Sequence, residues 1–272
     1  MVTIDFNDVF VLIRYSGERT LALCRKLIEN EVPTHLIHVS PVFPSFNECF
    51  KFGLEEAIKS QKEFSVFIDA DILIRSGSTL GRLVERLRTR DSEVCAVAGY
   101  TMDKFHLGSK AGGIHLYRTS IFKLIWNDLD SFIEDPRPET RAKEIMVLRY
   151  NKTIDYVEEI NCFHDFFQFR RDIVRKISFR LKKSNNLLNS YYVYFKKLRF
   201  FYADYRLAYQ TLSRLELNAN NKSSFLNIDY SRLKFSEKSD LKIWIPYLVY
   251  STDFPFYYWY FVFKVYRRVL KF

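Results

Sequence analysis

Two aspartates two residues apart carry the clearest chemistry in the chain. Residues 64–71 read Phe-Ser-Val-Phe-Ile-Asp-Ala-Asp, an apolar run that stops at Asp69 and Asp71. At the end of a strand this spacing places both carboxylates on one face, where they can bind one divalent cation. Phosphate oxygens and water commonly supply the other ligands of such a cation, so we expect a phosphate-bearing substrate. Aspartates also end strands and begin turns without any ligand, and that alternative stays open.

The elements that must position these aspartates alternate between strand and helix. Apolar patterning predicts strands over 9–15, 35–39, 64–69, 94–99, 112–118 and 153–157. It predicts helices over 18–30, 47–60, 78–88 and 121–127 and from about 139, with Ser78 as the N-cap of the third. This alternation is typical of an α/β sheet with helices packed on it. We assign it to one domain, residues 1–165.

The remainder of the chain, residues 166–272, differs in composition. Residues 166–214 hold twelve Lys or Arg against two acids, Asp172 and Asp204, among many Tyr and Phe. This pattern predicts a helical, basic and aromatic appendage. Residues 254–272 carry ten aromatic residues with four cations, which favours contact with an anionic membrane surface. Packing of these rings on the protein itself is the alternative.

Composition sets limits on the class of protein. The 272 residues carry a net charge of +10, which suits a polyanionic partner such as a nucleic acid, an anionic membrane or nucleotide phosphates. Four cysteines stand singly, as expected of reduced core residues. The N-terminus lacks a signal-peptide pattern, and no apolar run is long enough to span a membrane. We therefore expect a cytoplasmic protein, peripheral on the cytoplasmic face of a membrane.

The order strand, helix, strand, loop, helix, strand, Asp-X-Asp resembles the glycosyltransferases of the GT-A fold over about residues 8–170. Their nucleotide-binding half is a Rossmann-like mixed sheet flanked by helices that ends in a metal-binding DxD motif. Gly112 and Gly113 lead a strand that looks like the glycine-led strand lying beside the donor sugar in that family. The resemblance implies transfer of a sugar from a nucleotide-diphosphate sugar, first of all a UDP-sugar.

The same resemblance implies roles for two further pairs of residues. His164 and Asp165 follow a strand where many GT-A enzymes supply a metal ligand or a catalytic carboxylate. Arg19 and Thr20 open the first helix, where the family often contacts the nucleotide. The implied metal is Mn²⁺ or Mg²⁺, and a histidine ligand favours Mn²⁺.

Together these residues predict a metal site and a catalytic base. Asp69, Asp71 and His164 would hold the metal, which stabilises the charge of the departing diphosphate. An inverting reaction also needs a carboxylate to receive the proton of the acceptor, and we favour Asp165 over Glu134 and Asp135.

Several other side chains are candidates for contacts with ligand. Arg14, Arg19 and Arg75 suit phosphate or base, because a guanidinium donates forked hydrogen bonds to such groups. Asp103 and His106 precede the glycine pair and suit sugar hydroxyls, although a solvated loop explains them equally well.

The sequence thus predicts a metal-dependent glycosyltransferase whose acceptor is a saccharide or a lipid-linked saccharide, as in the synthesis of surface polysaccharide or lipopolysaccharide. Two alternatives compete with it. Haloacid dehalogenase-type phosphohydrolases also place Asp-X-Asp after an apolar strand, but usually on the first strand and with Thr or Val where Leu73 stands. A basic, aromatic nucleic-acid-binding protein is the second alternative, although no recognised motif of that class is present and we expect no nucleic-acid partner.

Overall fold

A computed structural model describes residues 4–75, 78–105, 108–135, 137–166, 168, 172–174, 176–177, 193, 195–196 and 203–219. The described residues up to Phe166 belong to one compact unit, and those from 168 to 219 belong to a second. The second unit contributes one long helix, Ala203–Ala219, to this description. The aromatic segment 254–272 lies outside the described residues, so its membrane contact stays a prediction, as do the domain boundaries.

The first unit alternates strands and helices as the sequence predicts. Its strands are β1 Val9–Arg14, β2 Ile37–Val39, β3 Phe64–Asp69, β4 Ile72–Ile74, β5 Val94–Asp103, β6 Gly108–Arg118 and β7 Thr153–His164. Its α-helices are α1 Leu21–Glu29, α2 Phe46–Ser60, α3 Thr79–Arg88, α4 Thr119–Trp126 and α5 Pro138–Leu148. Two short 3₁₀ helices, Thr34–Leu36 and Leu129–Ser131, complete the described elements of this unit.

The strands form one seven-stranded mixed sheet in the order β2-β1-β3-β6-β5-β7-β4. Strands β2, β1 and β3 are parallel to one another, and β5 is parallel to β7. Strand β6 runs antiparallel to both β3 and β5, and β4 runs antiparallel to β7. Strands β1, β3, β5 and β7 therefore all point the same way. This confirms the predicted fold class, a mixed α/β sheet flanked by helices.

The core explains why β1 and β3 are almost wholly apolar. Both strands lie inside the sheet and are covered on both faces, so they need no alternation of polar residues. Helices α2, α4 and α5 share one hydrophobic cluster with one face of the sheet, which includes Leu12, Phe50, Phe67 and Phe122. Gly53 lets α2 approach closely, because a Cβ there would lie 3.2 Å from Leu12 and 3.4 Å from Phe67.

Two strands are longer than the sequence predicts, and this matters for the site. We expected β5 over 94–99 and β7 over 153–157, but they continue to Asp103 and His164. The two strands pair with each other up to those last residues, and β6 pairs with the other side of β5. Pairing on both sides thus extends β5 beyond Gly99. As a result Asp103 and His164 are register partners.

The start of α3 differs from the prediction that Ser78 caps it. Ser78 has a left-handed backbone, with φ of 81°, and its side chain makes no capping hydrogen bond. The carboxylate of Glu31 instead accepts from the amides of Thr79 and Leu80 at 2.7 Å and of Gly81 at 3.2 Å. A side chain 48 residues earlier therefore satisfies the free amides of the helix, which no local pattern reveals.

Candidate active site

The parallel strands end in polar residues at one edge of the sheet. The last residues of β1, β3, β5 and β7 are Arg14, Asp69, Asp103 and His164. Because these four strands run in the same direction, their carboxyl ends meet at the same edge, which is where ligands bind in open α/β sheets. Around them lie two groups of side chains, described next.

The first group is the acid–histidine cluster, formed by Asp71, Asp103, His164 and Asp165. The imidazole of His164 lies between the acids: Nε2 is 3.6 Å from Oδ1 of Asp71, and Nδ1 is 2.9 Å from Oδ2 of Asp103 and 3.6 Å from Oδ2 of Asp165. All three carboxylates are buried. Burial alone would lower the pKa of His164, but the acids beside it outweigh burial and raise the pKa.

Three residues of this cluster can bind a metal ion. One ligand atom from each of Asp71, His164 and Asp165 lies within 4.8 Å of the others, the only group of three such ligands found in the described part of the chain. Two carboxylate oxygens and an imidazole nitrogen are a donor set that suits Mn²⁺, since imidazole favours transition metals and carboxylate suits Mn²⁺ or Mg²⁺. The donor set therefore fits the predicted metal.

The structure separates the two acids of the Asp-X-Asp motif. Asp69 ends β3, and Asp71 lies in the short turn before β4. Asp69 is not part of the converging ligand group; its Oδ1 accepts a hydrogen bond from Nε of Arg14 at 2.7 Å. A role for Asp69 on the metal stays a prediction. The turn itself is fixed, because the Ala70 amide donates to the Arg14 carbonyl and the Thr20 hydroxyl donates to the Ala70 carbonyl.

The second group is the Arg14–Glu139 cluster, formed by Arg14, Asp69, His115, Glu139 and Lys143. The carboxylate of Glu139 lies 3.1 Å from the Arg14 guanidinium and 3.3 Å from the Lys143 ammonium. Lys143 also contacts Nε2 of His115 at 2.9 Å. An ammonium can only donate, so Nε2 accepts and the ring proton of the neutral His115 lies on Nδ1. Two cations and two carboxylates balance in this cluster.

Burial and charge set the ionisation of this second cluster. Burial would raise the pKa of Glu139, but Lys143 and Arg14 outweigh it and hold the pKa well below its usual range. Burial and the neighbouring Lys143 lower the pKa of His115 to about 3. Burial raises the pKa of Asp69, and Arg14 offsets this only in part. At neutral pH His115 is therefore neutral and Glu139 is ionised.

A cleft of about 160 Å³ lies between the two clusters. Charged and polar side chains dominate its lining, which comprises Arg14, Asp69, Ile72, Lys110, Gly113, His115, Glu139, Lys143 and His164. Pockets for small molecules typically occupy about 300–1,000 Å³, so this cleft is small. It suits a small polar part of a ligand, such as a phosphate group or a sugar, better than a whole nucleotide.

Gly113 of the predicted glycine pair lines this cleft, and packing explains why both residues are glycine. Gly112 and Gly113 have φ of 95° and 115°, which disfavours any other residue. A Cβ at Gly113 would overlap the side chain of Thr101, and one at Gly112 would lie 3.1 Å from the His115 ring. The hydroxyl of Thr101 donates to the Gly112 carbonyl. Contact of the pair with a donor sugar stays a prediction.

Three further predicted residues, Arg19, Thr20 and Arg75, are not among those that line the cleft. Thr20 is buried, and its hydroxyl donates a hydrogen bond to the Ala70 carbonyl. Arg19 and Arg75 are half-buried; Arg19 lies just before α1 and Arg75 just after β4. Their contacts with a nucleotide stay predictions.

The two acids considered as alternative bases lie in a turn. Asp135 accepts from the Arg137 amide at 2.8 Å, as turn aspartates do, and Glu134 is exposed. His106 lies outside the described residues.

Sequence reasoning did not single out Lys110, His115, Glu139 or Lys143. His115 and Gly113 have the same parity along β6, so alternation places both on one face, and that signal was available. Glu139 lies in the first turn of α5, where an acid is explained by the helix dipole alone. Its ion pair with Arg14 spans 125 residues and has no local signal.

Comparison with known proteins gives partial structural likenesses. No family model and no curated protein matches the chain. The chain is similar to a cytidylyltransferase from Leptospira borgpetersenii, with 12% identity and a TM-score of 0.43, over 79% of this chain and 95% of that one. It is also similar to a glycosyltransferase involved in glycosylation of the major capsid of PBCV-1, with 10% identity and a TM-score of 0.41, over 57% of this chain and 92% of that one.

A third likeness is to glucosyl-3-phosphoglycerate synthase from Mycobacterium tuberculosis in complex with Mn²⁺ and uridine diphosphate, with 11% identity and a TM-score of 0.37, over 57% of this chain and 71% of that one. The similar structures therefore include glycosyltransferases and nucleotidyltransferases. At these scores the likeness is partial, so the function proposed below rests on the residues of this chain. Within the described residues, no helix is both long and apolar enough to cross a membrane.

Proposed function

We propose that the protein is a metal-dependent glycosyltransferase that moves a sugar from a nucleotide-diphosphate sugar to a saccharide acceptor. One observation carries this proposal: Asp71, His164 and Asp165 converge to within 4.8 Å beside a charged cleft at the carboxyl edge of the sheet. When bound there, Mn²⁺ or Mg²⁺ would stabilise the negative charge that grows on a departing diphosphate. Asp71, His164 and Asp165 are the residues that would hold it.

The cations of the cleft support a diphosphate ligand. Lys110 and Lys143 line the cleft from β6 and α5. Their side chains are 42% and 22% exposed, so neither lysine is shut away from an anion in the cleft. The cleft is too small for a whole nucleotide sugar, so the base and ribose would extend beyond it. A UDP-sugar donor and a lipid-linked acceptor remain part of this proposal.

The geometry favours a different catalytic base from Asp165, the residue that the sequence favours. Asp165 is completely buried, with its carboxylate among the candidate metal ligands, so we now favour it as a ligand. A base must face the acceptor, and the carboxylates that line the cleft are Asp69 and Glu139. Because Lys143 and Arg14 hold the pKa of Glu139 well below its usual range, Glu139 is a weak base. Asp69, whose pKa is raised, is the better candidate.

Binding of nucleoside diphosphates in the presence and absence of Mn²⁺ tests the proposal. We expect UDP or another nucleoside diphosphate to bind only with Mn²⁺, and Asp71→Ala to weaken that binding at least about a hundredfold, since the metal contributes several kcal/mol. Asp155→Ala is the matched control, because Asp155 pairs with Arg86 and Arg90 on the protein surface.

A screen of nucleotide sugars for metal-dependent hydrolysis then identifies the donor. Release of inorganic phosphate from phosphomonoesters would favour a phosphohydrolase instead. Oligonucleotide binding that is indifferent to Mn²⁺ but falls steeply with salt would favour the nucleic-acid-binding alternative. Either result, with no metal-dependent nucleotide binding, would overturn the proposal.

A further inference from the structure

The buried carboxylate of Asp103 is the group in the acid–histidine cluster that the metal site does not use. It is completely buried, and each of its oxygens accepts from the protein. Oδ1 accepts from the Phe105 amide at 3.0 Å. Oδ2 lies 2.7 Å from the Lys110 ammonium and 2.9 Å from Nδ1 of His164. Such a carboxylate can fix the orientation of whatever it contacts.

The hydrogen bond to Asp103 determines which nitrogen of His164 carries the proton. A carboxylate oxygen that already accepts from Lys110 can only accept from Nδ1, so the proton of neutral His164 lies on Nδ1. The lone pair is then on Nε2, the nitrogen 3.6 Å from Asp71. The backbone adds a second constraint, because the Lys104 amide donates to the His164 carbonyl at 3.1 Å.

We infer that Asp103 is a positioning residue that presents Nε2 of His164 to a divalent transition metal, with Lys110 moderating the negative charge of Asp103. This inference rests on the proposed function, because it concerns the same metal. Histidines that bind metals commonly donate their other ring N–H to a carboxylate, and loss of that partner weakens metal affinity about 10–100-fold. Asp103 does not touch the metal in this assignment.

Substitutions of Asp103 and of Lys110 are expected to affect Mn²⁺ binding differently. In Asp103→Asn the amide provides one acceptor where the carboxylate provides two, so Lys110, His164 and Phe105 cannot all be satisfied. We expect Mn²⁺ to bind about 10–100-fold more weakly, and Mg²⁺, which depends less on imidazole, to lose less. In Lys110→Met the carboxylate is kept and a nearby cation is lost. We expect Mn²⁺ binding to be unchanged or up to about fivefold tighter.

The experiment measures the dissociation constants of Mn²⁺ and Mg²⁺ without nucleotide. Electron paramagnetic resonance reports Mn²⁺ binding directly, and displacement of bound Mn²⁺ by added Mg²⁺ reports Mg²⁺ binding. Asp128→Asn is the matched control for a buried aspartate with an Arg and a Tyr partner, and Lys152→Met is the control for loss of a lysine charge elsewhere. Nitrogen-15 imidazole spectra without metal, recorded above the raised pKa of His164 so that the ring is neutral, report its tautomer. The His164 signal is identified by its loss in His164→Gln.

The outcomes separate the inference from the function. If the wild-type protein binds Mn²⁺ and Asp103→Asn binds it equally well, or if Lys110→Met is as damaging as Asp103→Asn, the positioning role is overturned and the metal site stands. If the wild type shows the Nδ1–H tautomer but binds no Mn²⁺, the proposed function fails while the orientation by Asp103 holds. A wild-type Nε2–H tautomer would contradict the inference directly.

Discussion

The two clusters that face the cleft differ in charge balance. The acid–histidine cluster places three buried carboxylates around one imidazole, and the Lys110 ammonium lies 2.7 Å from Asp103. The Arg14–Glu139 cluster pairs two cations with two carboxylates. Buried charge is costly unless it is paired. The first cluster therefore gathers carboxylates where a metal ion could bind them, whereas the second pairs its carboxylates with Arg14 and Lys143.

This difference separates a group of candidate metal ligands from a group of ion pairs that also holds two elements together. Carboxylates that converge on one point repel one another when no metal is bound, while a balanced cluster of buried ions fixes the geometry of its elements. Arg14 and Glu139 join β1 to α5, which are 125 residues apart in the chain. We expect substitutions in the two clusters to have opposite effects on the free energy of unfolding, and the following predictions test this.

The largest loss of stability is expected for Glu139→Gln. This change leaves Arg14 and Lys143 without their shared carboxylate, and loss of one partner of a buried pair costs about 3–5 kcal/mol. Because the Glu139 side chain keeps 19% exposure, we expect about 2–3 kcal/mol in chemical denaturation at pH 7. Glu144→Gln is the matched control on the same helix, since its pair with Arg141 is exposed and contributes less than about 1 kcal/mol. Equal effects would contradict the scaffold role.

His115→Gln should reduce the sensitivity of stability to acid. The folded protein keeps His115 neutral with a pKa of about 3, whereas the unfolded chain protonates it below about 6.5. The unfolded state thus binds more protons in this window, so His115 favours folding above pH 6.5 and this contribution falls as the pH drops towards 3.

Between pH 6.5 and 4.5 we expect the wild type to lose on the order of 2 kcal/mol more than His115→Gln. The measurement is the free energy of unfolding of both proteins across this range, in which Glu139 stays ionised in the folded state. His35→Gln is the control, because His35 is exposed. Parallel pH profiles for the wild type and His115→Gln would show that His115 is not held neutral.

The smallest effect, and the opposite sign, is expected for Asp71→Asn without metal. The amide keeps the shape of the side chain and removes one of three neighbouring carboxylates. We expect the free energy of unfolding in the presence of a chelator to stay the same or rise by up to about 1 kcal/mol. Added Mn²⁺ should then stabilise the wild type only. A loss of more than 1 kcal/mol would show that the cluster is balanced as it stands.

The sequence predicted those parts of the site that depend on local pattern. The apolar run of β3 and the aspartates after it were identified, since a buried strand followed by polar residues is a strong signal. The glycine pair was correctly placed on a strand, where positive φ and the Thr101 side chain require it. His164 and Asp165 were selected through a resemblance, and the structure brings them next to Asp71.

The sequence could not predict contacts that depend on tertiary pairing. The sequence places Asp103 in a loop because the predicted β5 ends at Gly99, and only pairing with β6 and β7 extends the strand. Glu139 and Lys143 have the spacing of an ordinary exposed helix face, and their partner Arg14 lies in a distant strand. Likewise, the amides at the start of α3 are capped by Glu31, which lies just after the end of α1, and not by the side chain of Ser78.

The hydrogen-bonded turn at Ala70, between Asp69 and Asp71, offers a way to measure local opening. Ala70 is completely buried, its amide is bonded to Arg14 and its carbonyl to Thr20. Hydrogen–deuterium exchange at this one amide therefore requires separation of β1 from the turn, an opening that exposes both clusters together. The Ala70 exchange rate should thus report how often this carboxyl edge of the sheet opens, and the measurement requires no knowledge of a substrate.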